Sequence, residues 1–424
     1  MSSISRRIST SGLGGLLGKI LLACAVGLLV SAALVNRVHK DSHFTFKRRV
    51  YPAMNPNTYV DQRQRVGEAS QSSGGTIVWV VLGDWKAQEH VVESMRQARR
   101  WNVNAHLVVL TSAKIISQHA ADLAIDSDVE LVDTTVLEDD ETLLLFRSNF
   151  FISGVMGSAA FNELTSARLY ILSAWMRRVN AKNIFHLEND NMIYFNVAEW
   201  VQKTGVCNVR VAMTCRQLQQ EARFMVAGVV FVRSWADIDT ILRDVNALLS
   251  KGENKVKDLI GSEWVNDMSL IAHHYWSNMI NGHPPQVYTP PKTLTILPEG
   301  ISGLGLDDPS GHIDEIRSCL WESTHVIFDN AALAIWFYGD YFDKKPAKNL
   351  HAWGAYERIP AKEHDLNWRI DRNSQLSYPA WNGARVASLH VHSKELRKVS
   401  SMRCNTLCQV FGTAESNFNT IKDI

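Results

Sequence analysis

The sequence predicts an α/β fold with a mostly parallel central sheet flanked by helices, and three observations indicate it. Short apolar runs of strand type alternate with longer stretches of helical periodicity. The runs are almost continuously apolar, which is typical of strands covered on both faces, as in parallel sheets. The chain has 424 residues, of which 46% are hydrophobic and 21% charged, so it is long and apolar enough for a large globular domain.

Six apolar segments are predicted as strands. In chain order they are residues 76–82, 105–110, 129–132, 183–187, 209–213 and 225–232. The last contains Ala227 and Gly228, and a glycine inside a strand marks a bulge or the close approach of another group. Helical periodicity predicts helices over 87–100 and 159–179. In such a sheet ligands bind beyond the carboxyl ends of the strands, so functional side chains are expected just after each strand.

Residues 12–35 are predicted to form a membrane-spanning helix. As a helix they would extend about 36 Å, and the hydrocarbon core of a bilayer is about 30 Å thick. Arg6 and Arg7 precede them, which predicts that the N-terminus stays cytoplasmic and the bulk of the chain lies across the membrane. The open alternative is a cleaved signal peptide, because Val30-Ser31-Ala32 has small residues at the positions required for cleavage.

The remaining chain divides by composition. Residues 1–11 are predicted to be a cytoplasmic tail. Residues 36–75 contain a Ser/Gly run and many Gln and Arg residues, which predicts a stem or linker, with an ordered N-terminal extension as the alternative. The folded α/β domain is predicted over 76–400, and 401–424 as a C-terminal tail.

Charge and cysteine content exclude two classes of protein. The net charge of +1 argues against a general nucleic-acid binder, so no nucleic-acid partner is expected. Six cysteines are too few for a disulfide scaffold. Cys207 with Cys215, and Cys404 with Cys408, could pair in an oxidising compartment and would leave Cys319 over, but spacing does not determine the connectivity.

An acidic motif follows the fourth predicted strand. Glu188 and Asp190 flank Asn189 there, and alternate residues of an extended chain point to the same face. Two carboxylates on one face form an oxygen-rich site for a hard cation such as Mg²⁺ or Mn²⁺. The alternative is a solvated acidic turn.

A second motif lies near the C-terminus. If residues 387–394 are extended, His390, His392 and Lys394 share one face. Imidazole can complete a mixed nitrogen and oxygen site for Mn²⁺. An ammonium group can neutralise the charge that develops on a leaving group.

The motif 184–194 resembles the metal-binding strand end of GT-A glycosyltransferases, which carry an Asp-x-Asp motif or an Asp/Glu variant. More closely, it is similar to a GT-A-like family with a His-Leu-Glu-Asn-Asp signature and a C-terminal Leu-His-x-His-Ser-Lys motif. The resemblance covers roughly 76–396 and implies a GT-A-like, Rossmann-type domain. It implies that Asp190 and Glu188 hold a divalent metal that bridges the diphosphate of a nucleotide sugar. It also implies that one of the two C-terminal histidines, preferably His390, is a further ligand.

The same resemblance implies roles for other residues. Those expected to contact the nucleotide sugar are Asp84, Arg168, Asn189, Ala227, Gly228 and Asn266. Those expected in catalysis are Asp267 as a general base, Asp329, and Lys394 beside the leaving diphosphate. For Asn266, Asp267 and Asp329 the alternative is an N-cap, and for Arg168 it is a surface salt bridge.

These observations predict a metal-dependent, membrane-anchored glycosyltransferase that uses Mn²⁺ or Mg²⁺. It would move a sugar from a nucleotide-sugar donor to a glycan, protein or lipid acceptor in the Golgi or endoplasmic reticulum lumen, or outside the cell if the segment is cleaved. The alternative is an inactive glycan-binding or scaffold protein on the same fold. A glycoside hydrolase is disfavoured because its two carboxyl groups lie about 5–10 Å apart across a substrate.

Overall fold

The computed structural model describes residues 75–126, 128–151, 159–218, 222–262, 265–276, 294–298, 315–329, 366–381, 384–391 and 396. All of them belong to one of the two compact units of the chain, Val60–Ile424. The other unit, Met1–Tyr59, lies outside the described residues, as do the predicted membrane segment and the C-terminal tail. Among the described helices, none combines the length and apolar character needed to cross a bilayer.

The central sheet has the strand order β3-β2-β1-β4-β7-β6-β8 among the described strands. Their bounds are β1 Thr76–Val81, β2 His106–Thr111, β3 Val129–Asp133, β4 Lys182–Leu187, β6 Val211–Leu218, β7 Ala222–Ser234 and β8 Leu294–Ile296. Strand β7 runs antiparallel to both of its neighbours, and the other pairs are parallel. The predicted mostly parallel sheet is therefore confirmed.

Helices follow the strands and cover both faces of this sheet. They are α1 Trp85–Gln88, α2 Val91–Trp101, α3 Ala113–Leu123, α4 Glu141–Asn149, α5 Ala159–Val179, α6 Val197–Thr204, α7 Trp235–Leu249, α8 Glu253–Ile260, α9 Asp267–Trp276 and α10 Glu315–Thr324. The single helix predicted over 87–100 is two helices, because the chain turns at Glu89 and His90. Short 3₁₀ turns follow β3 and α6.

The apolar core lies in two layers, one on each face of the central sheet. Strand β1 shows why, because its side chains alternate between the layers. Val78 and Val80 pack in the cluster with α5, α7 and α9, while Ile77 and Trp79 pack in the cluster with α2, α3 and α6. A strand buried on both faces must be apolar at every position, which accounts for the continuous apolar runs.

A second sheet, which the sequence analysis did not predict, lies beyond the carboxyl end of β4. Its order is β10-β11-β12-β5, with β9 pairing to β12. The strands are β5 Asn191–Ile193, β9 Val326–Phe328, β10 Leu366–Ile370, β11 Ser377–Trp381 and β12 Ala384–His390. Strand β12 lies between β5 and β9, so it brings the C-terminal motif beside the acidic motif.

Polar side chains of α2 attach β5 to the central domain. Ser94 and Gln97 donate hydrogen bonds to the carbonyls of Asn191 and Ile193, at the two ends of that strand. The Trp79 indole in turn donates to the Ser94 hydroxyl at 3.0 Å. Because Ser94 and Gln97 bind backbone carbonyls, they hold β5 in place whichever side chains the strand itself carries.

Within the described part of the chain, a disulfide joins Cys207 to Cys319 across 112 residues. It connects the turn after α6 to α10. The suggested pairing of Cys207 with Cys215 is therefore wrong. Spacing alone missed the true partner because the bridge depends on how α10 packs against the α6 region, and not on separation in sequence. Cys404 and Cys408 lie outside the described residues.

Candidate metal centre

The acidic motif begins where β4 ends. The Glu188 backbone nitrogen donates to the Gly228 carbonyl on β7 at 2.9 Å, and the Asn191 nitrogen donates back to the Glu188 carbonyl at 3.0 Å. These bonds form a tight turn at the carboxyl end of the parallel strands. Side chains of Glu188 and Asp190 are thereby displayed at the edge of the sheet where ligands bind in such folds.

His390 from β12 completes a cluster of three potential ligands. Its Nε2 lies 3.2 Å from Oε2 of Glu188 and 3.3 Å from Oδ1 of Asp190. One donor atom from each of the three residues lies within 4.8 Å of the others. Asp190 and His390 are buried and Glu188 is partly exposed, so the cluster opens towards solvent on the Glu188 side.

Asp329 supports His390 from the neighbouring strand. It is 2% exposed, follows β9 and accepts a hydrogen bond from the His390 backbone nitrogen at 3.0 Å. Its own backbone nitrogen donates to the Ser388 hydroxyl at 3.3 Å. Asp329 was expected to act in catalysis. In the structure its carboxylate is hydrogen-bonded to the backbone nitrogen of His390.

Gly228 lies directly beneath the imidazole ring. A Cβ atom on this glycine would lie 2.9 Å from Nδ1 of His390, closer than real Cβ atoms come, and 3.0 Å from Nδ2 of Asn191, which is unusually tight. The register of β7 against β6 shifts beside it, between Met213 and Thr214. The bulge and the close approach expected from a strand glycine are both present. Ala227, in contrast, is buried in the apolar cluster of the α5 side.

Arg168 from α5 joins Glu188 to Asp267. Its Nη2 lies 2.5 Å from Oε1 of Glu188 and 3.5 Å from Oδ2 of Asp267. Burial opposes the charge of Arg168, but the two carboxylates outweigh it and raise its pKa. Burial also raises the pKa of Asp267, and the neighbouring Arg168 does not fully offset this. Arg168 is therefore part of the site and does not form a surface salt bridge.

His186 lies behind the acidic motif and is fully buried. Its Nδ1 lies 3.1 Å from the Val78 carbonyl, so this nitrogen carries the proton and donates. Burial, with the nearby positive charge of Arg168, lowers the pKa of His186 to about 4. The His186 ring is therefore neutral at physiological pH. It lies behind the three potential ligands and is bonded to β1.

The remaining predicted residues lie around this cluster. The Asn189 amide donates to the side chain of Gln88 on α1, a residue that the sequence analysis did not single out. Asp84 is exposed and caps the same helix by accepting from the Lys86 nitrogen at 3.3 Å. Asn266 caps α9, because its side chain accepts from the Ser269 nitrogen at 3.0 Å. His392 and Lys394 lie outside the described residues.

The donor set matches a hard or borderline divalent cation. Two carboxylates and one imidazole provide the mixed oxygen and nitrogen ligands that suit Mn²⁺ and also accept Mg²⁺. The glycine beneath the ring leaves room for His390 to direct its Nε2 at both carboxylates. The residues present therefore fit a divalent metal.

No protein-family model matches this chain, and no curated protein matches it in sequence. Solved structures similar to it include mouse xyloside xylosyltransferase 1 (11% identity, TM-score 0.35), with 53% of this chain and 84% of that chain covered. They also include the galactosyltransferase LgtC (12% identity, TM-score 0.32), with coverage of 59% and 96%, and the PaToxG glycosyltransferase (10% identity, TM-score 0.31), with coverage of 52% and 78%. These neighbours are glycosyltransferases, but such low identities and TM-scores assign neither a family nor an activity to the chain.

Proposed function

We propose that this protein is a metal-dependent glycosyltransferase that moves a sugar from a nucleotide-sugar donor to a glycan or glycoconjugate acceptor. The observation that carries the proposal is the convergence of Glu188, Asp190 and His390 at the carboxyl end of β4, within 4.8 Å of one another. Residues 188–190 and 390 come from distant parts of the chain, and the motifs that contain them are those that resemble GT-A enzymes. A chance acidic turn would not require a buried histidine to face both carboxylates.

Glu188, Asp190 and His390 would hold Mn²⁺ or Mg²⁺, which as a Lewis acid neutralises charge on a nucleoside diphosphate. The chain's own residues define the rest of the site. Asp329 and Gly228 orient His390, and Arg168 holds one oxygen of Glu188 so that the other faces the histidine.

Asp267 is our candidate for the general base that deprotonates the acceptor hydroxyl. It lies at the start of α9 and contacts the same guanidinium nitrogen of Arg168 as Glu188 does. Burial raises its pKa, which makes the carboxylate a stronger base. Its contact with Arg168 keeps the carboxylate oriented in the absence of substrate.

We further propose an oxidising, lumenal location. The Cys207–Cys319 disulfide supports it, because stable disulfides are typical of proteins in the secretory pathway or outside the cell. The predicted anchor at 12–35 would place the domain there, with the membrane as a partner through that helix. Lys394 and His392 stay candidates for the leaving-group side of the site.

The function is tested by thermal unfolding of the full-length chain in a mild detergent. A panel of nucleoside diphosphates is compared with and without Mn²⁺. A ligand that binds the folded state at a hundredfold excess over its Kd stabilises by about 2.7 kcal/mol. We expect one nucleotide to raise the melting temperature only with Mn²⁺, and the shift to vanish in Asp190→Asn but to survive in Asp122→Asn, whose carboxylate is exposed. A folded protein that responds to no nucleotide would contradict the proposal.

A further inference from the structure

Asn191 has a fully buried side chain that makes no hydrogen bond. Neither its Nδ2 nor its Oδ1 has a partner, although the residue is 0% exposed. Its backbone is fully used, because the nitrogen donates to Glu188 and the carbonyl accepts from Ser94. An unsatisfied buried amide costs about 1–3 kcal/mol, so such a group in a folded site requires a partner.

The strand pairing places this amide opposite His390. Asn191 and His390 are directly paired across the antiparallel β5–β12 ladder. The bond from the Val391 nitrogen to the Asp190 carbonyl, 2.9 Å, identifies them as a non-hydrogen-bonded pair, in which side chains lie closest. Side chains of directly opposed residues point to the same face of the sheet. The amide and the imidazole ring therefore project together.

Gly228 shows which atoms of the Asn191 and His390 side chains lie near each other. The point where its Cβ would be lies 2.9 Å from Nδ1 of His390 and 3.0 Å from Nδ2 of Asn191. The amide nitrogen and the ring nitrogen thus border one small space. Nitrogen and oxygen of an amide are assigned from their partners, so a half-turn of this amide with a small shift of the side chain would bring Oδ1 to Nδ1.

We propose that Asn191 is a positioning residue whose side-chain carbonyl accepts the Nδ1–H of His390. This bond leaves the Nε2 lone pair directed at the space between Glu188 and Asp190. The inference rests on the proposed metal site and deepens it, because a ligating histidine is oriented by the group that binds its second nitrogen. It also explains why an asparagine side chain is buried beside Gly228 and His390.

The first test is ¹⁵N NMR of the metal-free, histidine-labelled full-length protein, with the His390 signals assigned by His390→Gln. We expect Nδ1 of His390 to be protonated and its ¹⁵N shift to change in Asn191→Leu, both without metal and after Mg²⁺ addition. An Nδ1 shift that is the same in Asn191→Leu as in the wild-type protein would overturn the inference. This readout does not depend on cation binding, so it still tests the Asn191 contact if the proposed function fails.

The second test measures Mn²⁺ affinity from the free-ion signal in electron paramagnetic resonance. Asn191→Leu removes the acceptor, and we expect affinity to fall by 10- to 100-fold. Asn191→Asp retains an acceptor oxygen and is expected to stay within about threefold of wild type or bind more tightly. Asn246→Leu is the matched control. This asparagine is also buried, and it bonds Thr142 and Tyr170 within the α4, α5 and α7 layer.

The Asn246→Leu control separates the loss of His390 positioning from a general loss of protein stability. Asn246→Leu is expected to lower the unfolding temperature and to leave Mn²⁺ affinity unchanged. Wild-type affinity in Asn191→Leu would overturn the inference, as would an equal loss of affinity in Asn246→Leu. If no variant and not even wild type binds Mn²⁺, the proposed function is contradicted, and the NMR result decides the Asn191 contact separately.

Discussion

The carboxylate of Asp329 accepts a hydrogen bond from the backbone nitrogen of His390 at 3.0 Å, across 61 residues of sequence. The bond lies at the end of β12, beside Glu188 and Asp190. A buried carboxylate that binds a backbone nitrogen restrains the whole residue and not only its side chain. The position of the imidazole therefore depends on β9 as well as on β12.

Asp329→Ala removes this acceptor and leaves a buried backbone nitrogen unsatisfied. We expect the free energy of unfolding to fall by about 1.5–3 kcal/mol and Mn²⁺ affinity to fall with it. Asp329→Asn keeps an oxygen that can accept the same bond, so it is expected to retain most of both. Denaturant unfolding and Mn²⁺ titration of the two variants provide the comparison. Equal effects of alanine and asparagine would show that the hydrogen bond does not position His390.

Gly228→Ala introduces a methyl group into the space beneath His390. Its Cβ would lie 2.9 Å from the ring, so the imidazole or the strand must shift. Overpacking of this kind costs about 1–3 kcal/mol, and a displaced ring weakens cation binding. Gly205→Ala is the control, because no atom lies within 4 Å of the Cβ position there. Calorimetric melting and Mn²⁺ titration should show a loss for the first variant and almost none for the second.

Arg168 and a divalent cation compete for Glu188. The guanidinium contacts Oε1 of that carboxylate at 2.5 Å and also neutralises Asp267. Arg168→Met should therefore destabilise the metal-free protein by about 3–5 kcal/mol, because it leaves two partly buried carboxylates without their cation. The same variant should gain more thermal stability from Mn²⁺ than wild type does. A smaller Mn²⁺-induced shift in the variant would contradict this competition.

The central sheet could be predicted because β1, β2 and the second half of β4 are buried on both faces and are therefore mostly apolar. The second sheet could not, because its contacts are long-range. Strand β5 has three residues and pairs with β12 almost two hundred residues later, so no local pattern reveals it.

The candidate metal site, like the fold, could be predicted only in part. Glu188, Asp190 and His390 were candidates because ligand residues form recognisable local motifs. Among the contacts that position them, the close approach at Gly228 was expected, but those of Asn191 and Asp329 were not. Asn191 and Ser388 carry no local signal for their roles, since these depend on which backbone and ring atoms the strand pairing brings near. The position of Asn191 inside the acidic motif was the one available hint.

The ionised Asp371 stabilises the folded protein, so we expect the free energy of unfolding to fall in acid. It accepts from the backbone nitrogen of Ser374 and pairs with Arg385, which also stacks on the Tyr378 ring at 4.1 Å. Burial alone would raise the pKa of Asp371, but these partners outweigh it and hold the pKa at about 2. An unfolded aspartate titrates near 3.9. The folded form binds the proton less tightly, so this stabilisation is complete above about pH 4 and is lost as pH falls towards 2.

Asp371→Asn is expected to lower the free energy of unfolding at pH 7 by about 1–2 kcal/mol after solvent screening. Its difference from wild type should shrink as the pH falls from 4 to 2. Asp122→Asn, which removes an exposed carboxylate, is the control variant. Denaturant unfolding across this pH range measures both, and a constant difference at all pH values would contradict the assigned ion pair.

The disulfide predicts sensitivity to reductant. The Cys207–Cys319 bridge closes a loop of 112 residues, and such a link stabilises by about 2–5 kcal/mol, largely through the unfolded chain. Reduction of wild type should lower the free energy of unfolding by this amount. Cys207→Ser with Cys319→Ser should unfold as reduced wild type does and show no further response to reductant.

Cys215→Ser is the control, since pairing of Cys207 with Cys215 would make this variant equally insensitive. A reductant response retained by the double variant would contradict the observed bridge. If Cys215→Ser keeps the full response, the connectivity is established, and the compartment that assembles the protein must be oxidising enough to form it.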